Sequence, residues 1–108
     1  MGLLVDAWHV FRAGTSLTEL QATVKPGTIF GVELDDAAAT AGGKLFNDAV
    51  NHRMLCGEGT FDLRGLVAIL RGLGFDGPWG VEILSSSFRT MPVREALSLA
   101  AQSARKAL

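Results

Sequence analysis

The chain has 108 residues, 48% hydrophobic and 19% charged, the balance of one folded domain with a modest core, which excludes a disordered segment. Net charge is −1 and the ten basic residues are scattered, so no electrostatic footprint for nucleic acid is expected. No apolar run approaches the roughly 20 residues of a membrane span, no charged leader precedes the first aliphatic segment, and Cys56 alone cannot close an internal disulfide, so a cytoplasmic protein without a membrane partner is expected.

Gly2 to Val5 is a short aliphatic run without alternation, the pattern of a strand buried on both faces, and Asp6 closes it. The stretch DAWHVFRAG reads as a loop. Ser16 to Val24 is predicted as a short helix, with Ser16 and Glu19 spaced as a capping box and Leu17, Leu20 and Val24 facing inward. Pro26 and Gly27 stop it. Thr28 to Leu34 is the second predicted strand, and Glu33, Asp35 and Asp36 cluster at its end. A long connection from Ala37 to Thr60 follows, with a helical turn or two around Leu45 to Val50, and connections of that length are commonly lids or binding loops.

The best punctuated stretch is RMLCGEGTFDLRGLVAILRGL, from Arg53 to Leu73. Gly57 and Gly59 bracket Glu58 in a turn where positive φ or close backbone approach is expected. Asp62 is a suitable N-cap, Phe61 is placed as a hydrophobic staple on Leu66, and Leu63, Leu66, Val67, Leu70 and Leu73 form one apolar stripe. Cys56 and His52 lack the spaced partners of a nucleophile site and read as packing and solvated loop residues. Gly80 to Leu84 is the third predicted strand, carrying Glu82, and Pro92 to Leu108 the last helix, with Val93, Ala96, Leu97, Ala100, Ala104 and Leu108 inward.

Strand and helix alternate three times, which predicts an α/β fold of parallel β/α units over residues 1–108. Sites in such sheets form at the carboxyl ends of the strands, where Asp6, Glu33 and Glu82 all fall, so three acids can converge on one point. A carboxylate such as Glu82 inside an aliphatic strand is costly unless it reaches a site or partner. Asp6 has the simpler alternative of capping the turn that follows it, and Arg53 that of pairing with Glu58 or Asp62. Trp8 and Trp79 read as packing residues.

The runs LLVDAWH, RMLCGEGTFDLRGLVAILRGLGFDGPWGVEIL and the closing helix together resemble the C-terminal part of the xylose isomerase-like TIM barrels, the sugar phosphate isomerase/epimerase superfamily that also holds AP endonucleases. The resemblance implies the last three β/α units of a (β/α)8 barrel, and Met1 directly before a strand predicts a truncated chain. It implies that Asp6, Glu33 and Glu82 bind a divalent cation (Mn²⁺, Mg²⁺ or Co²⁺), that His9 and Arg53 touch substrate oxygens, and that Glu82 also moves a proton. The implied activity is a metal-dependent sugar or sugar phosphate isomerase or epimerase working through an enediolate. Two departures stand out: Glu33 replaces a metal-binding histidine, which puts the metal's identity in question, and Cys56 replaces a proline, which predicts a looser turn. Asn51, Arg53 and Glu33 stand where the nucleases carry Asp or His ligands, leaving too few nitrogens for a zinc cluster. Three β/α units also leave open sheet edges, so the alternative is an inert partial-barrel module that self-associates or awaits the missing N-terminal barrel half.

Overall fold

The computed structural model describes residues 1–108. Its elements are β1 (Leu3–Asp6), α1 (Ala7–Arg12), α2 (Leu17–Thr23), β2 (Ile29–Leu34), α3 (Leu45–Asn51), α4 (Leu63–Gly72), β3 (Trp79–Val81), a 3₁₀ turn (Phe88–Thr90) and α5 (Val93–Arg105). The three strands form one parallel sheet in the order β1-β2-β3. Register sets Asp6 beside Glu33 and Glu33 beside Gly80. Because side chains alternate along a strand, Asp6, Glu33, Asp35 and Glu82 all fall on one face.

The opposite face carries the core. Val5, Val32 and Leu34 are covered by Leu63, Leu66, Val67 and Leu70 of α4, with Leu73 and Phe75 closing the lower edge. Each fully buried leucine of that stripe contributes roughly 2 kcal/mol relative to exposure. Helix α4 begins as expected, with Asp62 accepting from the Gly65 amide at 3.0 Å, while Phe61 stacks on Phe11 with ring centroids 4.6 Å apart. The capping box of α2 is also present: Ser16 Oγ accepts from the Glu19 amide at 3.1 Å, and Glu19 Oε2 from the Ser16 amide at 3.0 Å.

Three expectations need correction. Residues 7–12 form a helix instead of a loop, because Asp6 Oδ1 accepts from the amides of Trp8 (2.8 Å) and His9 (3.4 Å) and starts it. Strand β3 ends at Val81 rather than Leu84. The Glu82 amide makes one more ladder bond, to the Leu34 carbonyl at 3.1 Å, after which the Leu84 carbonyl turns to the Arg53 amide at 3.0 Å. In α5, Ala96 and Ala104 are buried as expected, but Val93 and Leu97 are 74% and 66% exposed. Strand β3 is the edge of the sheet, so α5 covers it with one flank and no neighbouring unit meets the other.

The loop after β2 is fastened at its ends. Asp36 is buried and accepts from the amides of Gly57 (2.9 Å) and Phe61 (3.0 Å), which pins the glycine turn instead of leaving it loose. Gly57 has φ of +90°, and a Cβ on Gly59 would lie 2.3 Å from the Ala37 carbonyl oxygen, so one glycine supplies a dihedral and the other a close approach. No helix is long and apolar enough to cross a membrane.

Candidate metal centre

The strand ends bring one oxygen each from Asp6, Glu33 and Glu82 within 4.8 Å of one another. Asp6 is buried, Glu33 is half-buried, and the Glu82 side chain is 40% exposed, so the cluster opens to solvent on the Glu82 side. Beside it lies Asp35, fully buried, just past the end of β2 and two residues after Glu33.

One cation serves three of these acids. Arg53 is buried, and its Nη1 donates to Asp35 Oδ2 at 2.6 Å, Asp6 Oδ2 at 2.8 Å and Glu82 Oε2 at 3.2 Å. Its Nε donates to the Ala49 carbonyl at 2.8 Å, and the Trp8 ring lies 5.5 Å from the guanidinium carbon. Trp8 is fixed in turn, its Nε1 donating to Asp48 Oδ2 at 2.7 Å. Asp48 also accepts from Arg12 Nε at 2.8 Å and from the Gly42 amide at 2.7 Å, tying α1, the loop and α3 together.

Electrostatics separates the two clusters. Burial first, then the Asp6 carboxylate, pushes Asp35 up to about 8, against the pull of Arg53. Burial, Glu82 and Asp6 likewise raise Glu33 above the ordinary carboxylate value. Burial lowers the Arg53 value, but Asp6 and Asp35 outweigh it and hold the guanidinium charged. Asp48 moves the other way: burial acts to raise it, yet its bonds from Arg12, Gly42 and Trp8 keep it below the ordinary range. Cys56 is buried beside Asp35 and Asp36, and burial above all pushes its thiol up to about 12, the state of an inert packing residue.

The donor set fits a hard divalent cation. Three carboxylates share one guanidinium, Glu33 stands beside them without it, and Asp35 Oδ1 is a buried oxygen with no hydrogen-bond partner. An unpartnered buried carboxylate oxygen beside three further acids is a place where a cation stabilises the ionised form, and oxygen ligands suit Mg²⁺ and Mn²⁺.

Of the residues singled out in the sequence, Asp6, Glu33, Glu82 and Arg53 meet in this cluster, and His9 does not. His9 is exposed on α1, with its ring edge-on to Trp8 at 5.0 Å. Asp35, Asp48 and the polar role of Trp8 were missed. Asp35 had a usable signal, standing two residues after Glu33 and so on the same face. Asp48 had none, because its partners lie 6 to 40 residues away.

A parallel β/α sheet with acids gathered at its carboxyl ends defines the class as a barrel-type α/β protein. The family described as xylose isomerase-like TIM barrel matches residues 1–106, and the chain belongs to it. A 3-dehydroshikimate dehydratase of Pseudomonas aeruginosa is 30% identical over 94 residues, covering 87% of this chain and 14% of that protein. Among solved structures, the IolI protein with a bound zinc atom superposes with a TM-score of 0.86 at 24% identity, over 98% of this chain and 37% of that one. Protein SMc04130 from Sinorhizobium meliloti gives 0.79 at 22% identity, over 98% and 37%. The chain thus spans about a seventh of the curated relative and a little over a third of these two barrels, a partial barrel of three β/α units.

Proposed function

We propose that this chain carries the C-terminal part of a metal-dependent sugar or sugar phosphate isomerase or epimerase. The observation that carries the reading is the meeting of Asp6, Glu33 and Glu82 oxygens within 4.8 Å, in a cluster where one guanidinium bonds three acids and leaves Glu33 without it. Asp6, Glu33 and Glu82 would hold the cation, with Mn²⁺, Mg²⁺ and Co²⁺ as candidates. When bound, it supplies positive charge beside a substrate carbonyl, where negative charge develops during proton removal.

The chain's own groups do the rest. Glu82, half-exposed at 40%, has Oε1 free of protein partners and takes the proton from the carbon next to the carbonyl, as an enediolate mechanism requires. Arg53 Nη2 makes no protein hydrogen bond and is the arm left to hold a substrate oxygen, while Nη1 stays on the carboxylates. His9, exposed on α1, reaches substrate from the rim. A cytoplasmic setting agrees with the buried free thiol of Cys56.

The test is an NMR experiment in D₂O with Mg²⁺, the chain, and a panel of ketoses, ketose phosphates and 3-dehydroshikimate. Deuterium entering the carbon beside the carbonyl of a ketose, and failing to enter with Glu82→Gln, supports the reading. No exchange in any ketose, with cation bound, contradicts it. Consumption of 3-dehydroshikimate with loss of water would move the reaction to the dehydratase activity for which the Pseudomonas relative is named.

A second reading, a self-associating or partner-binding module without activity, is favoured by one observation. Leu4, on the face of Asp6 in the edge strand β1, and Phe30, at the β1–β2 bulge, are 63% and 68% exposed. Sizing of the chain in the same buffer decides it: a discrete dimer without exchange activity favours the module, and a monomer excludes self-association.

A further inference from the structure

The nitrogen at the heart of the cluster lies where a cation of the site would draw its ligands. Arg53 Nη1 bonds Asp6 Oδ2 and Glu82 Oε2, and these belong to two of the three proposed cation ligands. Asp35 Oδ2, at 2.6 Å, is the third and shortest of its contacts. We infer that Arg53 is a built-in counter-ion that competes with the divalent cation for Asp6 and Glu82, and that Trp8 and Asp48 are positioning residues that set how firmly it competes. The inference rests on the proposed reading of Asp6, Glu33 and Glu82 as cation ligands.

Three observations carry it. The guanidinium is buried, and two cations drawing on the same carboxylates repel far more strongly there than in water. It is also braced, by the Ala49 carbonyl on Nε and by the Trp8 ring over its plane, with Trp8 itself held through Nε1 by Asp48. A braced arginine yields its oxygens less readily than one free to swing. Finally, Asp35 belongs to Arg53 and not to the ligand trio, so a cation that takes Asp6 and Glu82 still leaves the arginine one buried partner. Arg53 can therefore retreat onto Asp35 without becoming an unpaired buried charge.

The test is calorimetric titration of Mn²⁺ into the full 108-residue chain and its variants, with thermal unfolding recorded with and without Mn²⁺. Arg53→Gln removes the charge and is expected to bind Mn²⁺ about tenfold tighter than wild type, or more, with a larger Mn²⁺-induced rise in Tm. Arg53→Lys keeps the charge and stays near the wild-type affinity, which separates charge from shape. Trp8→Phe loosens the brace and is expected to tighten binding about threefold, short of Arg53→Gln. If Arg53→Gln does not fold, Trp8→Phe carries the test alone. Wild-type binding with equal or weaker affinity in Arg53→Gln, or in Trp8→Phe where that variant alone folds, overturns the counter-ion role and leaves the cation site standing. Absence of Mn²⁺ binding in the folded wild type and all variants overturns both.

Discussion

Around Asp48, one carboxylate meets one guanidinium, one indole N–H and one backbone amide; around Asp6, three carboxylates meet one guanidinium and one buried oxygen is left with no partner. Trp8 touches both clusters, donating to Asp48 and covering Arg53. The first cluster is satisfied within the chain, and its acid is held below the ordinary carboxylate range. The second is over-supplied with acid, and Asp35 and Glu33 are raised. A balanced buried pair fastens a structure, whereas an unbalanced one stores demand for a charge from outside.

The largest break of this comparison is Asp48→Ala. It leaves Arg12, the Trp8 N–H and the Gly42 amide without their common partner, and the expected loss is about 3–5 kcal/mol in urea unfolding. A loss under about 1 kcal/mol would show that α1, α3 and the loop are held by packing alone. Asp35→Asn removes an acid from the over-supplied cluster while keeping an oxygen for Arg53. With cation chelated at pH 9, the expected effect is a gain of about 1 kcal/mol, since buried charges can often be replaced at no loss.

The two clusters also answer to pH with opposite sign. A carboxyl raised in the folded state gives stability that is fully present below its unfolded value, near 3.9, and lost as pH rises through its folded value. From Asp35, at about 8, the chelated chain therefore loses stability as pH climbs from about 4 to about 8, and Glu33 acts in the same direction. Asp48, depressed, gives stability that is present above the unfolded value and lost as pH falls through the folded one. Tm measured against pH is thus expected to fall on either side of about pH 4, with Asp35→Asn flattening only the decline between about pH 4 and 8. An unchanged decline over that window in the variant would contradict the assignment. The smallest effect concerns Cys56, whose buried thiol at about 12 is expected to resist iodoacetamide in the folded chain and react on unfolding. Prompt alkylation of the native chain would show that the turn over the cluster opens.

The frame of the fold was legible because it is written locally. Ser16 and Glu19, Asp62 with the leucines of α4, and the aliphatic runs of β1 and β2 each announce an element within a few residues. The placement of Asp6, Glu33 and Glu82 on one face followed from the same logic, since parallel strands deliver their carboxyl ends to one side. What failed to show depended on distance in the chain. Helix α1 was hidden because Asp6 serves two masters, one oxygen capping the helix and the other bonding Arg53. The end of β3 is set by the Arg53 amide, and the exposure of Val93 and Leu97 by the position of β3 at the sheet edge. Asp48 joins residues 6 to 40 apart, and no local pattern marks such a bond.

The most direct measurement is calorimetric titration of Mn²⁺ into the folded chain, beside Glu82→Gln and Glu33→Gln. One Mn²⁺ per chain is expected in the wild type, with affinity lost in Glu82→Gln and at least tenfold weaker in Glu33→Gln. Binding that ignores both substitutions, or no binding to a folded wild-type chain, would contradict the claim that these carboxylates form a cation site.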